Sequence, residues 1–551
     1  MSVHCRFLSI VTVFSFLLFV PPAAASLPAV YIAQTAGGAN TGADCANASP
    51  ASFFNTAGSW GNGAAQIGAG TVVHLCGAWT GAANSVLLTF QGSGAPGSPI
   101  ELLFEAGASL QAPYFKSGYG TGTGGAINLN GKSNLIIDGG ATCGEVGGSP
   151  VNVSNCNGVI QNTANGTVLT YQLGSSAIYS SGSPHNVEIR NLVIKNMYLR
   201  VDPQNNSAAA DGGGVYGIYF DHADFSGLNI HHNNIQNNAR GTVLDFEGTN
   251  VSGVTIANNY VADAGWHISI AGYGNGTAVG NIQIHDNEIT DWHNWLTPTG
   301  AFHSNGIMIF NSCLPTQTCS AGDTSSNIYN NYIHGDMTGG KPLYNSSGFI
   351  SPQDNTSGFR IFNNRLHCTG GCQGMVYWLG CDFGGSRACG GNGQIYNNTM
   401  ITEGGGNCVV VGTVTPSLIK NNIMVGCNGL ETLLGDYTQI VSDYNVGYNL
   451  NTWAASASPY SAYNLAQWQA AKSKDRNSAA SNPLFDASDR LQMGSLAIGL
   501  GTNLTSLGIA QLNKDMLGAA RRGSGTWDAG AYQFTMVSPL APPAGLTVTV
   551  H

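Results

Sequence analysis

Three short segments group acidic residues with histidine and aromatic residues: GIYFDHA (217–223), GTVLDFEG (241–248) and WHISIAG (266–272). Read as β-strands whose side chains alternate between faces, the first buries Ile218 and Phe220 and presents Tyr219 and Asp221. The second buries Thr242, Leu244 and Phe246 and presents Val243, Asp245 and Glu247, and the third presents His267 and Ser269. Aligned on their first glycine or its equivalent, the strands place Asp221 and Asp245 in one slot of neighbouring strands, about 4.8 Å apart between backbones. Carboxylates that close repel, so a proton, a cation or a basic side chain must accompany them. Three uses are open: a Ca²⁺ site completed by Glu247, an acid and nucleophile pair at the ~5–5.5 Å separation of retaining glycosidases, or capping of turn amides without chemistry.

A repeat supplies the elements that would hold such strands in register. Six-residue copies recur as IRNLVI (189–194), IHHNNI (230–235), IANNYV (256–261), IHDNEI (284–289), IYNNYI (328–333), IFNNRL (361–366), IYNNTM (395–400), IKNNIM (419–424) and VSDYNV (441–446). Successive copies start 22 to 44 residues apart, which indicates one unit of about 22 residues plus loops of variable length. The apolar ends fit two short strands that each bury one face, and the Asn-rich centre fits a sharp bend, because Asn tolerates the left-handed conformation. Stacked coils of this length give a parallel β-helix, in which bend asparagines hydrogen-bond along the axis. In GLNIHHNNIQNN (227–238), His232 occupies the bend slot and His231 a variable outward slot, so position in the repeat accounts for both.

Bulk properties agree. Only 9% of the 551 residues are charged and 76 are glycine, a composition of turns and strands. A net charge of −10 leaves no basic stripe for nucleic acid. Residues 1–25 read as a signal peptide: His4 and Arg6 precede an apolar run (7–20) that is too short to span a membrane, and small residues lead to a cut after Ala25. Twelve cysteines remain in the mature chain, an even number that suits disulfides in an exported protein. Sequence neighbours suggest pairs 45–76, 143–156, 313–319, 368–372, 381–389 and 408–427, with a zinc site at Cys368, Cys372 and His367 as the rival. The expected organisation is a cap and first strands (26–70), a β-helix (71–455), a C-terminal block closing it (456–536) and a tail (537–551), in a secreted monomer with no membrane span.

The NN-type coils, YIAQTAGGANTGADCANAS (31–49) and the C-terminal run from SNPLFDASDRLQ to TWDAGAYQF (481–534) carry a resemblance. The chain resembles exported right-handed parallel β-helix proteins of the pectate-lyase-like superfamily over most of residues 27–536. That resemblance implies a polysaccharide lying in a groove over the sheet whose strands precede the Asn-bearing bend. On this sheet β-elimination from a uronic-acid polymer needs a base and a cation to stabilise the developing enolate. Arg240 and His267 are the candidates beside Asp221 and Asp245, with Ca²⁺ as the alternative neutraliser. Tyr219, Trp292, Trp295 and His303 are candidate substrate contacts, the last three on an insertion (291–305) at the groove rim. Tyr219-Phe220-Asp221-His222 is similar to the Trp-Ile-Asp-His of pectate lyases but falls on a different strand, so its roles do not transfer. The polygalacturonase signatures are absent as a set. The reading is an exported enzyme, first a uronide lyase, second a glycoside hydrolase on the same groove. A carbohydrate-binding surface protein without catalysis is the reading from another class.

Overall fold

The computed structural model describes residues 26–140, 158–164, 174–197, 214–221, 224–273, 278–292, 304–312, 325–338, 348–378, 390–413, 415–433, 436–457 and 459–535, with backbone only at 239–243, 273 and 312. The chain forms a right-handed parallel β-helix: a 14-stranded sheet lies along one side, and the strands of the other two sides join into a 24-stranded sheet. Nearly every pairing is parallel and links one coil to the next. Three rows of aliphatic side chains fill the interior. Ile189, Ile230, Ile256, Ile284, Ile328, Ile361, Ile395 and Ile419 form one row from the 14-stranded sheet. Ile194, Ile235, Val261, Ile289, Ile333 and Leu366 form the second. Ile178, Ile218, Leu244, Ile268, Ile307 and Ile350 form the third, under the sheet that carries the site.

The bends follow the repeat. Asn191, His232, Asn258, Asp286, Asn330, Asn363, Asn397, Asn421 and Tyr444 all have left-handed φ between 51° and 60°. The next residue builds a ladder through Asn233, Asn259, Asn287, Asn331, Asn364, Asn398, Asn422 and Asn445. Each Nδ2 donates to the Oδ1 of the next coil's asparagine and to a backbone carbonyl of the preceding coil, as Asn364 does to Asn398 Oδ1 (3.0 Å) and Ile328 O (2.9 Å). Asn445 ends the ladder on Asp475 Oδ1 at 3.1 Å. The ninth copy is displaced by one residue from the sequence alignment: Ser442, not Val441, continues the inward row opposite Ile419, and Val441 is exposed.

On the 14-stranded sheet, charge is used in local networks. Arg190 donates from Nε to Asp138 (2.7 Å) and from Nη1 to Glu188 (2.5 Å). His231 Nε2 lies 3.0 Å from the same Glu188 oxygen, and His231 Nδ1 lies 2.7 Å from His232 Nδ1.

At the N-terminal end, Phe54 packs against Trp60 and Phe90 over the first coils. At the other end, the helix Leu465–Lys472 and the hairpin Thr452–Ala457/Tyr460–Tyr463 pack over the last coils. The segment 481–534 then runs back along the outside, where Leu504, Ile509, Leu512 and Trp527 cover the stacked rings of Tyr329, Phe362 and Tyr396. Disulfides Cys45–Cys76, Cys368–Cys372 and Cys408–Cys427 are formed. The middle one removes the thiolates of the zinc alternative, and the remaining three expected pairs lie outside the described residues.

Two expectations follow. Asn364→Ala removes donors from two buried carbonyl groups and an acceptor from Asn331, and should cost about 3 kcal/mol in urea unfolding. Asn449→Gly, at an exposed left-handed position (φ 51°), should leave the midpoint unchanged. The second concerns the clasp of Asp489 to Arg365 (2.8 Å) and His367 (3.1 Å). The Asp489 bond raises the His367 pKa above 6.5 against the opposing effect of burial. Burial pushes Asp489 up, but His367 and Arg365 outweigh it and hold the carboxyl below 3.8. A raised imidazole gives stability that is full below its unfolded pKa of 6.5 and is lost as pH climbs through the folded value. A depressed carboxyl gives stability that is present above 3.8 and is lost as pH falls through its folded value. Unfolding midpoints should therefore decline on the alkaline side of pH 6.5 in the parent chain, and His367→Gln should flatten that decline.

Candidate functional site

Strand alternation holds on the site sheet: Ile218, Phe220, Leu244 and Phe246 point inward. Register differs from the glycine alignment by two residues. Tyr219 pairs with Asp245 and Phe220 with Phe246, so the next step brings Asp221 level with Glu247, not Asp245. The cause is the corner. The strand Asn234–Gly248 runs continuously from one side of the helix to the next, and its register with Tyr260–Tyr273 shifts between Asn238 and Thr242. Residues consumed in turning displace Asp245, while a shift of two preserves the face. Two outward rows result. One runs Tyr179, Tyr219, Asp245, Ser269, Met308, and the other runs Ser181, Asp221, Glu247, Ala271, Phe310.

Burial separates the three acids. Asp245 is 3% exposed, whereas Asp221 and Glu247 are half-buried at the surface of the sheet. Both Asp221 oxygens accept phenolic hydrogen bonds, Oδ1 from Tyr219 (2.9 Å) and Oδ2 from Tyr179 (3.0 Å). The Tyr219 hydroxyl also lies 3.4 Å from Glu247 Oε2, so one hydroxyl sits between the two carboxylates. Tyr216 stacks on Tyr219 with ring centroids 3.8 Å apart at 11°. Burial raises the Tyr179 phenol above its ordinary 10.0, aided by Asp221. It raises Tyr219 and Tyr216 further, helped for both by Asp245 and Glu247. These hydroxyls therefore remain protonated donors across the working pH range. On the other side of the acids, Ala271, Met308 and Phe310 form a buried apolar cluster with partly buried Trp266 packed against it.

Tyr179 and Tyr216 were missed from sequence. Tyr179 was legible, because AIYSS (177–181) puts it in the slot of Tyr219. Tyr216 precedes the glycine taken as the strand start.

The remaining candidates sort differently. His267 is fully buried instead of outward, with Nε2 3.0 Å from Thr290 O and Nδ1 3.3 Å from Asn305 O. Trp292 closes over it edge-on at 4.6 Å, and burial lowers its pKa below 6.5 against the pull of both carbonyls. This is a corner residue without access to substrate. Trp292 is 4% exposed, stacks on Phe349, and donates from Nε1 to Asn305 O (3.2 Å), so it belongs to the core and not to a groove rim. The Arg240 side chain, Trp295 and His303 lie outside the described residues. Asp245 is buried one slot away from Asp221 and Glu247, and among the described residues no three His, Cys, Asp or Glu side chains converge as a metal site.

No protein-family model matches the chain, and no curated protein sequence matches it. Solved structures are similar in fold. A GH136 lacto-N-biosidase from Eubacterium ramulus aligns at 12% identity over 82% of this chain and 67% of that one, with a TM-score of 0.40. XylC in complex with xylose aligns at 9% identity over 92% and 98%, TM-score 0.41. Pectate lyase Pel9A aligns at 16% identity over 93% and 98%, TM-score 0.32.

The phenol cluster is directly testable. In an alkaline titration followed by tyrosinate absorbance, replacing Tyr179, Tyr216 and Tyr219 together by Phe should remove amplitude only well above pH 10.0. Amplitude lost near 10.0 would show that these phenols are not buried beside the carboxylates.

Proposed function

We propose that the chain is an exported polysaccharide-active enzyme that cleaves glycosidic bonds with Asp221 and Glu247. The observation that carries this reading is the shared Tyr219 hydroxyl. It ties together two outward carboxylates on adjacent strands, and the inter-strand spacing of about 4.8 Å approaches the ~5–5.5 Å of a retaining pair. Asp221, whose two oxygens accept hydrogen bonds from phenols, serves as nucleophile. Glu247, across the Tyr219 hydroxyl from Asp221, serves as acid toward the leaving oxygen and then as base toward water. Tyr179, Tyr216 and Tyr219 on one side, and Ala271, Met308 and Phe310 on the other, are buried, so they position the acids and do not offer faces to sugar rings.

β-Elimination from a uronide is the second reading. Its support is the acid cluster's need for a cation when an anionic polymer binds. Hydrolysis ranks above it because His267, one of the two proposed basic groups, is enclosed in the core. Export is supported by three disulfides, and among the described residues no helix is long and apolar enough to cross a membrane.

The test is incubation of the purified chain with neutral and uronic-acid polysaccharides, with the anomeric form of the first product followed by NMR. Retention at the reducing end is the expected result, with activity falling about 10²–10⁴-fold in Asp221→Asn and in Glu247→Gln. An unsaturated product absorbing in the ultraviolet would replace hydrolysis by elimination. No cleavage of any glycan would end the enzymatic reading.

A further inference from the structure

Alongside the acid pair stands a loop that the catalytic reading does not use, KSGYGTGTGG (116–125). Its glycines are there for conformation and close approach: Gly118, Gly120, Gly122 and Gly125 have φ of 90°, 65°, 69° and 78°. A Cβ on Gly118 would fall 2.3 Å from Cδ2 of Tyr179, the ring whose hydroxyl donates to Asp221. The loop is fastened on several sides. Ser117 Oγ donates to Gly214 O (2.7 Å) at the start of the Asp221 strand, and Ser181 Oγ, level with Asp221, donates to Gly122 O (3.1 Å). Lys116 Nζ donates across the loop to Thr123 Oγ1 (2.6 Å), and Thr121 Oγ1 lies within bonding distance of Gly118 O and Thr123 O.

At the tip of this fastened loop is Tyr119, 52% exposed. Only a few large apolar side chains are that open among the described residues, and the others belong to the last coils and the C-terminal segment. Tyr119 also lies close enough to Tyr216 to act on its phenol electrostatically. It is therefore an open ring on a rigid support, continuous with the buried tyrosines that hold Asp221. A solvated aromatic loses little by exposure at such a place if a pyranose face covers it in the complex.

We propose that Tyr119 is the stacking platform of a saccharide subsite one coil before the acid pair, fixing how the glycan chain enters the groove. This inference deepens the reading of Asp221 and Glu247 as the cleavage site and shares its groove. The loop binds a sugar unit beyond the one being cleaved, so short substrates do not feel it and long ones do.

The experiment measures cleavage of a size series of linear oligosaccharides, from disaccharide to octasaccharide, drawn from the polysaccharide that the parent chain degrades. In parallel, calorimetry measures binding of the same series, or of a neutral and uronic-acid glycan panel if nothing is degraded, to the Asp221→Asn/Glu247→Gln chain. Tyr119→Ala should raise KM and weaken binding about tenfold for the longer members, with kcat nearly unchanged and the shortest member unaffected. Tyr119→Trp should restore both, and the unfolding midpoint should not move, since the ring is exposed. Gly118→Ala, which drives a methyl into Tyr179, should lower kcat instead. If Tyr119→Ala binds and cleaves every length as the parent does, the subsite is refuted while the cleavage site stands. If nothing is cleaved but binding of long glycans still depends on Tyr119, the subsite stands and the catalytic reading falls. If no glycan binds at all, both fall.

Discussion

The asparagine ladder at the second bend is the constraint on which the other features depend. A right-angle bend in a buried chain leaves amide and carbonyl groups that cannot reach water, and each must find a partner. Asn233, Asn259, Asn287, Asn331, Asn364, Asn398, Asn422 and Asn445 supply that partner for one another and for the preceding coil's carbonyl. Because every amide points along the axis to the next, each coil is held at one strand spacing above the last. On the sheet that carries the site, the parallel pairing of the two strands brings Asp221 level with Glu247. A site made of one residue from each of two coils is only as well defined as the stacking between them.

How much of this was legible in sequence follows from the range of each interaction. The bend and its ladder are local, repeated every coil, and carried by Asn, so nine copies exposed the β-helix. One copy was misread: in VSDYNV the left-handed residue is Tyr444, and Ser442 takes the place usually filled by Ile. The site is less repetitive and was half legible. Period-two alternation identified the face of Tyr219, Asp221, Asp245 and Glu247, but a face does not fix a slot. The slot is decided at the corner before Leu244, where the glycine used for alignment has no structural equivalence to Gly217. His267 and Trp292 were misassigned for another reason. Trp292 closes over His267 and stacks in turn on Phe349, contacts that span long loops and leave no pattern in the chain.

The three sides of the helix are used unequally. Segment 481–534 covers the 14-stranded sheet at Tyr329, Phe362 and Tyr396 and reaches the bend asparagines: Asn363 donates to Lys514 O, Asn397 to Asp528 O and Asn421 to Thr502 O. The earlier coils of that sheet satisfy their charges in place, through Arg190 and its carboxylates. Both arrangements consume polar capacity in the scaffold. Asp221 and Glu247 are half-buried at the sheet surface, with the Tyr179 and Tyr219 hydroxyls beside them.

That choice of partner has a chemical consequence. Tyr179 and Tyr219 donate hydrogen bonds without adding charge, and their burial beside carboxylates keeps them protonated, so they cannot turn into competing anions. Asp221 accepts from both Tyr179 and Tyr219, and the same Tyr219 hydroxyl lies 3.4 Å from Glu247 Oε2, so the two acids sit differently toward the phenols. Unequal environments are what assign one carboxyl to bond formation and the other to proton transfer.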